Sequence, residues 1–310
     1  MTIGHHHISM ITKDAQANND FYTKVLSLRR VNYTVNQDSP NMYHLFYGDR
    51  TGAPGTELTF FEIPMVGRTQ RGTNAITRIG LFVPSFGSLE YWEKRLAEHG
   101  VQTDGIGMYA GRAALEFEDS EGLRFVLLNN QNRDIPAGWA AWESSPVPEE
   151  HRILGMGPIE ITVREPKKTI HLLQEVFGYE VMEEKGAMTR IQTAGRDYSE
   201  IVIVQQDGAE ERPGRGSIHH LAVRAKNTEE LSAWNEKLLS MGYRTSGEVD
   251  RHYFESVYVR DENNILFEIA TDAPGFTITG PIEELGTKLH LPPKFESRRA
   301  EIEAQLKPLQ

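Results

Sequence analysis

The sequence predicts an α+β protein in which one strand-helix-strand-strand-strand unit, a βαβββ module, occurs four times. Three observations lead to this prediction. The chain has 310 residues, about twice the usual domain length of roughly 150 residues. Four stretches begin as an alternating apolar strand, pass a short polar turn and continue as an amphipathic helix. Each helix is followed by further strand-like runs before the next copy begins.

The first strand and the helix of each module can be read in order along the chain. The strands are "HHHISMI", "AITRIGLFV", "MGPIEITV" and "SIHHLAVR". The helices after them are "AQANNDFYTKVL", "SLEYWEKRLAEHG", "KKTIHLLQEVFG" and "TEELSAWNEKLLSMG". We expect these helices to end at Ser27, Gly100, Gly178 and Gly242. Three of these residues are the glycine that helices favour just after their last turn.

Two strand-like runs follow each helix, for example "NMYHLFYGD" and "TELTFFEIP" in module 1. Modules 1 and 3 are each followed by a Gly/Arg-rich connector, "GRTQRGT" and "EERPGRGS", so the halves of the chain repeat as well. The tail is expected to break at Pro292 and Pro293 and then to form a helix. The predicted domains are residues 1–130 with modules 1 and 2, a linker of exposed-Trp character at 131–154, residues 155–272 with modules 3 and 4, and a tail at 273–310.

The amino-acid composition argues against several kinds of binding partner and metal ligand. The formal charge of -11 is unfavourable for binding nucleic acid without regard to sequence. Cysteine is absent, which leaves His, Asp and Glu as the candidate metal ligands. No apolar run approaches the length of a membrane span, and the first residues lack the pattern of an export signal. We therefore expect a cytoplasmic protein that binds neither nucleic acid nor membrane, while a homodimer stays open.

Four such modules, with His in a first strand and Glu in a last strand, resemble the vicinal oxygen chelate superfamily of glyoxalases, bleomycin-resistance proteins and extradiol dioxygenases. Within it the chain is most similar to bacterial ring-cleaving dioxygenases of the hydroquinone type. The resemblance implies two half-barrel pairs of modules and a divalent metal, Fe(II) first, with Zn, Mn or Ni as alternatives. The stretches that carry it are "HHIS", "FYTKVLSLR", "MYHLFYGDRTGAPGTELTFF", "SIHHLAVR", "YFESVYVRDENNILFEIATDAPGF" and "LGTKLHLPP".

Members of this superfamily take metal ligands from the first and last strands of a module. With the polar turn as reference, the first-strand position falls on His7, seven residues before Asp14, and on His220, seven residues before Asn227. In the last strand of module 4, a family-like "DPxGNxxE" pattern reads "DENNILFE" and ends at Glu268. The corresponding positions elsewhere hold Arg78 and Val126 in module 2, Pro158 or Ile159 in module 3, and Thr59 in module 1.

Two imidazoles and one carboxylate are the ligand set of non-haem Fe(II) oxygenases, because they occupy one face of the ion and leave the other open. For His7, His220 and Glu268 to share an ion, modules 1 and 4 must meet and modules 2 and 3 must pair as a metal-free half. The neighbours His6 and His219 should face away from the metal or lie at the strand edge, since side chains alternate along a strand. Two alternatives to metal binding remain. A histidine on a strand can be a buried core residue, and "HHH" could be the remnant of an affinity tag.

Four further residues are candidates for proton transfer and substrate contact. Tyr258 lies where related ring-cleaving enzymes place a tyrosine that hydrogen-bonds the substrate, although it could instead be an aromatic core residue. His252 and Tyr253 are candidate acid/base groups, and a surface histidine is the alternative for His252. His44 could point into the same cavity, or outward if the strand parity is reversed.

The expected function is cleavage of a hydroquinone- or catechol-like ring by O₂ at this metal. One alternative is a lyase or isomerase of the glyoxalase type, for which the family resemblance implies a metal site with four protein ligands. Here the fourth position is Thr59, a poor ligand, and Glu62 lies on the opposite strand face unless a β-bulge turns it. The other alternative is a metal-free binding protein, against which the three filled ligand positions argue.

Overall fold

The computed structural model describes residues 4–194 and 197–310, and within these residues sixteen strands form two eight-stranded sheets. Each sheet consists of two βαβββ modules side by side. The predicted α+β fold of four modules with a helical tail is therefore confirmed. The sheets do not follow the halves of the chain, since one sheet combines modules 1 and 4 and the other combines modules 2 and 3.

The first sheet has the strand order β14-β15-β16-β13-β1-β4-β3-β2. The first strands of modules 1 and 4, β1 and β13, pair antiparallel at its centre, and each pairs parallel with the last strand of its own module. Because central strands are covered on both faces, their residues are almost all buried. Its strands are β1 His5–Thr12, β2 Arg29–Asn36, β3 Ser39–Gly48, β4 Glu57–Glu62, β13 Ile218–Ala225, β14 Val249–Asp250, β15 Phe254–Arg260 and β16 Leu266–Pro274.

The second sheet repeats this arrangement with the order β10-β11-β12-β9-β5-β8-β7-β6. Its centre is the antiparallel pair of β5 and β9, the first strands of modules 2 and 3. The division of the chain at residues 130 and 154 stays a prediction. The strands are β5 Ala75–Val83, β6 Thr103–Tyr109, β7 Arg112–Glu118, β8 Arg124–Asn129, β9 Gly155–Val163, β10 Tyr179–Lys185, β11 Met188–Thr193 and β12 Ile201–Gln205.

Three of the four module helices begin at a polar residue that caps a free backbone N–H, and the helix of module 3 begins instead with Pro166. Asp14, Ser85 and Asn227 each accept a hydrogen bond from a backbone N–H of the first turn. Module 1 differs from the expected single helix, because its last turns widen into a π-helix at Phe21–Val25. The helices are α1 Ala15–Asp20, α2 Phe86–Glu98, α3 Pro166–Glu175 and α4 Thr228–Ser240. None of the helices in the described part of the chain is long and apolar enough to cross a membrane.

One strand in each module was not located from the sequence: β2, β6, β10 and β14, the first strand after each helix. All four are edge strands of the two sheets. An edge strand pairs on one side only and buries less of its surface, so its apolar alternation is weak. In β10, for instance, every residue after Tyr179 is exposed.

The segment that joins the halves and the C-terminal tail both pack onto the body of the protein. Trp139, expected to be exposed, is 7% exposed and covers Gly55 and Gly155, where a Cβ would lie 2.7 and 2.5 Å from its ring. The tail crosses the edge of module 1, where the guanidinium of Arg30 donates to the carbonyl of Gly286. The single expected tail helix is two short ones, α5 Pro293–Glu296 and α6 Arg299–Glu303.

Candidate metal centre

The structure brings His7, His220 and Glu268 together at the centre of the first sheet. The Nε2 atoms of the two histidines lie 3.3 Å apart. Glu268 Oε2 lies 3.1 Å from Nε2 of His7 and 2.7 Å from Nε2 of His220. All three side chains are buried. Residues separated by more than two hundred positions in the sequence therefore form one cluster.

The strand register explains why these three positions meet. Seven residues before the helix N-cap, the first strand places His7 in module 1 and His220 in module 4. Two residues further on, each first strand pairs with the last strand of its module, Ser9 with Thr59 and Ala222 with Glu268. The pairing of β1 with β13 then brings the two module sites face to face.

The spacing of the three atoms fits one divalent ion. Ligand atoms about 2.1 Å from an ion are about 3.0 Å apart at right angles and about 3.4 Å apart at tetrahedral angles. The separations of 3.1 and 2.7 Å are nearer to right angles, and that of 3.3 Å between the two histidines is nearer to the tetrahedral value. Oε2 of Glu268 is buried, and within the described residues it faces only the two ring nitrogens. A cation would satisfy this oxygen, so these residues could hold a divalent metal.

Electrostatics also favour an ionised carboxylate at this place. Burial alone would raise the pKa of Glu268, but His7 and His220 hold it well below its usual range. Burial lowers the pKa of His220, which favours the neutral imidazole that a metal requires. The other oxygen, Oε1, accepts a hydrogen bond from the hydroxyl of Ser256 and is held in place by it.

The cluster opens into a cavity of about 350 Å³. This volume is near the lower end of the roughly 300–1,000 Å³ typical of small-molecule sites. Much of the wall is apolar, and a flat ring could lie against it with its polar groups towards Glu268. The apolar lining includes Ile11, Phe46, Phe61, Ile63, Phe254 and Leu266.

Tyr258 lines this cavity beside His220, with the two rings 5.7 Å apart and nearly perpendicular. Arg251 Nε donates a hydrogen bond of 3.2 Å to its hydroxyl oxygen. The hydroxyl hydrogen of Tyr258 is therefore free to point at a bound molecule. Burial and the Glu268 charge raise the pKa of Tyr258 above its usual range, so it remains a hydrogen-bond donor at neutral pH.

His44 also lines the cavity, so its side chain points inward. Its Nε2 lies 3.1 Å from the hydroxyl of Thr59, which in turn lies 2.7 Å from the hydroxyl of Ser9. Burial lowers the pKa of His44 well below its normal value. A neutral imidazole in this place can accept a hydrogen bond from the hydroxyl of a phenolic substrate.

Tyr253 and His252 are neighbours with different surroundings. Tyr253 is buried at the cavity wall, where its hydroxyl lies 2.8 Å from Nδ1 of His290 in the tail. Burial raises the pKa of Tyr253 to about 12. His252 does not line the cavity, because its backbone has a φ of 72° and its ring stacks on His290. The structure thus places Tyr253 at the site and His252 behind it.

Several cavity residues were missed by the sequence reading. His219 lines the cavity although strand alternation was expected to turn it away. Arg251 also lines it and forms a salt bridge of 3.2 Å with Asp38 on the β2–β3 turn. The amide of Gln37 in the same turn donates to the carbonyl of Arg251. Arg251 immediately precedes the predicted pair His252 and Tyr253, but nothing in the sequence indicates that the turn of module 1 reaches module 4.

The fourth ligand position holds Thr59, whose hydroxyl is engaged with Ser9 and His44. Glu62 is not turned towards the cluster, because β1 and β4 keep an uninterrupted register up to the pair Thr12–Glu62. Its carboxylate instead accepts a hydrogen bond of 2.9 Å from the N–H of Ala15. Within the described residues, no second carboxylate joins the cluster of His7, His220 and Glu268.

A second group of possible ligands lies behind the first and shares His7. Nδ1 of His6 is 2.9 Å from Nδ1 of His7 and 3.8 Å from Oε1 of Glu57. Burial, followed by nearby negative charges, raises the pKa of Glu57 well above its usual range, so this carboxyl is a weak ligand at neutral pH. The contact between the two rings has the length of a hydrogen bond. A metal ion bound between these residues would have to replace that hydrogen bond.

Comparison with known proteins agrees with this fold. A protein of Bacillus subtilis (strain 168) named "Putative ring-cleaving dioxygenase MhqA" is 44% identical, over 99% of this chain and 99% of its own. The chlorohydroquinone/hydroquinone 1,2-dioxygenase of Sphingobium indicum is 28% identical, over 96% of this chain and 94% of its own. A crystal structure from Bacillus subtilis, described as a dioxygenase without established activity, superposes with a TM-score of 0.93 at 35% identity, covering 100% of this chain and 98% of that one.

The family model of the glyoxalase/bleomycin resistance protein/dioxygenase superfamily matches residues 4–127 and 155–269, which together include all four modules. The resemblance seen in the sequence is thereby confirmed. The chain belongs to the glyoxalase/bleomycin resistance protein/dioxygenase superfamily.

Proposed function

We propose that the protein is a metal-dependent ring-cleaving dioxygenase, with Fe(II) held by His7, His220 and Glu268 and with a hydroquinone-like single ring as substrate. The observation that carries the proposal is the cluster of two imidazoles and one carboxylate at the floor of an aromatic-lined cavity. This ligand set leaves several positions of an iron ion open. The bound metal would supply the redox chemistry that couples the ring to O₂.

The residues of the chain would bind and orient the substrate. Phe61 and Phe254 line the cavity and would pack against the ring. His44, kept neutral by burial, would accept a hydrogen bond from the substrate hydroxyl. Tyr258, fixed by Arg251, would donate a hydrogen bond to a substrate oxygen. The apolar lining would keep water away from the reacting ring.

The relatives support the choice of reaction and substrate. The Bacillus protein is named for ring cleavage and the Sphingobium enzyme for chlorohydroquinone and hydroquinone. Hydroquinone carries its two hydroxyls at opposite ends of the ring, so only one of them can reach the metal. Polar residues that line the cavity outside the ligand cluster, including Asn36 and Arg251, could then meet the second hydroxyl.

Oxygen consumption by the anaerobically reconstituted Fe(II) protein tests the proposal. With hydroquinone we expect O₂ uptake and a ring-opened product that contains both atoms of ¹⁸O₂. With catechol we expect slower uptake, because its two adjacent hydroxyls would leave the polar residues outside the ligand cluster without a partner on the substrate. A metal-loaded protein that consumes no O₂ with any dihydroxybenzene, yet isomerises a thiol adduct, would contradict the proposal and favour the glyoxalase type of reaction.

Two glutamate variants provide matched controls. Glu268→Gln should abolish O₂ uptake, because the amide lacks the charge that balances the metal. Glu62→Gln changes another buried carboxylate of the same sheet that lies outside the cluster, and it should leave uptake close to wild type. Equal losses in both variants would mean that Glu62 acts at the metal and that the site has four protein ligands.

A further inference from the structure

Each of the two histidines proposed as metal ligands touches the histidine that precedes it. Nδ1 of His6 lies 2.9 Å from Nδ1 of His7, and Nδ1 of His219 lies 2.7 Å from Nδ1 of His220. A neutral imidazole carries one hydrogen, on either Nδ1 or Nε2. In each pair, therefore, only one of the facing Nδ1 atoms can carry the hydrogen and donate it to the other.

The surroundings decide this choice for the pair His6–His7. Nε2 of His6 lies 3.1 Å from the carbonyl oxygen of Thr271, and a carbonyl can only accept a hydrogen bond. The hydrogen of His6 is therefore on Nε2, and its Nδ1 is an acceptor. His7 must then carry its hydrogen on Nδ1, which leaves a free lone pair on Nε2 beside Glu268. Both rings are 2% exposed, so water offers no competing partner.

The pair His219–His220 lacks such an anchor. His219 is exposed at the cavity, and its Nε2 has no hydrogen-bond partner within the described residues. The hydrogen between its Nδ1 and that of His220 can therefore belong to either ring. Without metal, His220 can carry its hydrogen on Nε2 and offer it to Glu268, which lies 2.7 Å away.

We infer that His6 is a positioning residue that fixes the tautomer of His7, so that His7 presents a lone pair to the metal before any metal binds. The inference rests on the proposed metal site and adds to it an order among the ligands. His7 is prepared in advance by a chain that runs from the Thr271 carbonyl through His6, whereas His220 adjusts when the ion arrives. Hydrogen-bond partners of this kind orient histidine ligands and influence metal affinity.

Nuclear magnetic resonance of the metal-free protein with ¹⁵N-labelled histidine rings tests the tautomers directly. We expect the hydrogen of His6 on Nε2 and that of His7 on Nδ1 without metal, with no change when Zn²⁺ is added. Without metal, the signals of His220 should show a hydrogen on Nε2 or an average of the two tautomers, and on addition of Zn²⁺ they should change to the tautomer with the hydrogen on Nδ1. A hydrogen on Nε2 of His7 in the metal-free protein would overturn the inference, whatever the protein does with metal or substrate.

Variants at His6 link the tautomer to metal affinity. His6→Leu removes the acceptor for His7 and should weaken Mn²⁺ binding about 10- to 100-fold, the usual effect of losing such a partner. His6→Asn places an oxygen acceptor near the position of Nδ1 and should restore both the His7 tautomer and most of the affinity. The matched control is His219→Leu, which should leave the tautomer of His7 unchanged.

The effect of the His6 variants on metal affinity can be distinguished from a failure of the proposed metal site. If Mn²⁺ does not bind to the wild-type protein, the metal site fails, while the ring spectra still decide the tautomer of His7. Thermal unfolding of each variant shows whether the fold persists. Equal affinity in His6→Leu and wild type, with the fold intact, would overturn the role of His6.

Discussion

The two sheets repeat one backbone arrangement and differ in the side chains at the equivalent positions. In the first sheet the first-strand positions hold His7 and His220, and in the second they hold Arg78 and Pro158, again seven residues before the helix N-cap. The register equates Glu268 and Thr59 with Val126 and Val202 in the second sheet. The same fold therefore offers a ligand set in one half and none in the other.

In the second sheet, the position equivalent to that of His7 is occupied by the positively charged side chain of Arg78. Its guanidinium lies 3.1 Å from the carboxylate of Glu116 and 3.6 Å from that of Glu160. Tyr109 donates a hydrogen bond of 2.9 Å to Glu160. Val126 and Val202 pack into an apolar cluster beside them. The two sheets thus show that a repeated backbone position can hold a set of possible metal ligands in one copy and an internal ion pair beside apolar packing in the other.

Substitution of His7 and of Arg78, which hold equivalent first-strand positions in the two sheets, should give the largest difference in metal affinity. His7→Leu removes a ligand and should weaken Mn²⁺ binding more than about 100-fold, since even the loss of a ligand's hydrogen-bond partner costs 10- to 100-fold. Arg78→Leu changes the equivalent position in the second sheet and should leave the affinity unchanged. Isothermal titration with Mn²⁺ measures both. A similar loss in Arg78→Leu would mean that the second sheet takes part in metal binding.

Tyr258→Phe should separate catalysis from metal binding within the first sheet. Removing a group that donates a proton or hydrogen bond in the transition state lowers kcat about 100-fold or more. The Mn²⁺ affinity should remain that of wild type, because Tyr258 is not part of the ligand cluster. Tyr109→Phe in the second sheet serves as the control and should leave kcat unchanged. Unaltered turnover in Tyr258→Phe would remove this residue from the reaction.

Arg78→Leu should instead reduce stability. It leaves Glu160 partly buried without its cation, which costs about 1–3 kcal/mol, less than for a fully buried pair because both groups retain some contact with water. Adding Glu160→Gln should recover part of this loss, because the uncompensated charge is then gone. Urea unfolding measures the free energies. If the double variant is less stable than Arg78→Leu alone, the charge of Glu160 is not the cause.

A smaller effect concerns acid stability of the second sheet. Glu200 is fully buried, and although burial alone would raise its pKa, Arg112 and Arg190 lower it below 4.5. A lowered pKa means that this carboxylate stabilises the fold above the unfolded-state pKa and loses that contribution as the pH falls through the folded-state pKa. Glu200→Gln should therefore reduce stability at pH 7 and flatten its decline below about pH 4.5. Unfolding at several pH values would show whether the slopes of the two proteins differ.

The four-module fold could be predicted from the sequence because each module repeats a strong local signal, a central strand followed by a helix with a polar cap. The cluster could be located for the same reason. His7 and His220 stand at a fixed distance from the caps Asp14 and Asn227, and this distance sets which face they occupy. The edge strands could not be found, because a strand that pairs on one side carries little apolar alternation.

The surroundings of the cluster were harder to predict because they depend on contacts between modules. The sequence assigned His219 and His6 to the far side of the strand, yet each touches the adjacent ligand ring. The register of β1 with β13 shifts between His5 and Ile8 and again between Ser9 and Met10, and simple alternation does not anticipate such irregularities. The approach of Asp38 to Arg251 likewise joins two modules that are distant in the chain.

The most direct test of the central claim is a crystal structure of the protein loaded with Fe(II) under anaerobic conditions. We predict one ion in the first sheet, bound through Nε2 of His7, Nε2 of His220 and Oε2 of Glu268, with the opposite face towards the cavity and no ion beside Arg78. An ion bound by other residues, or by His6 and Glu57 behind the cluster, would contradict the account.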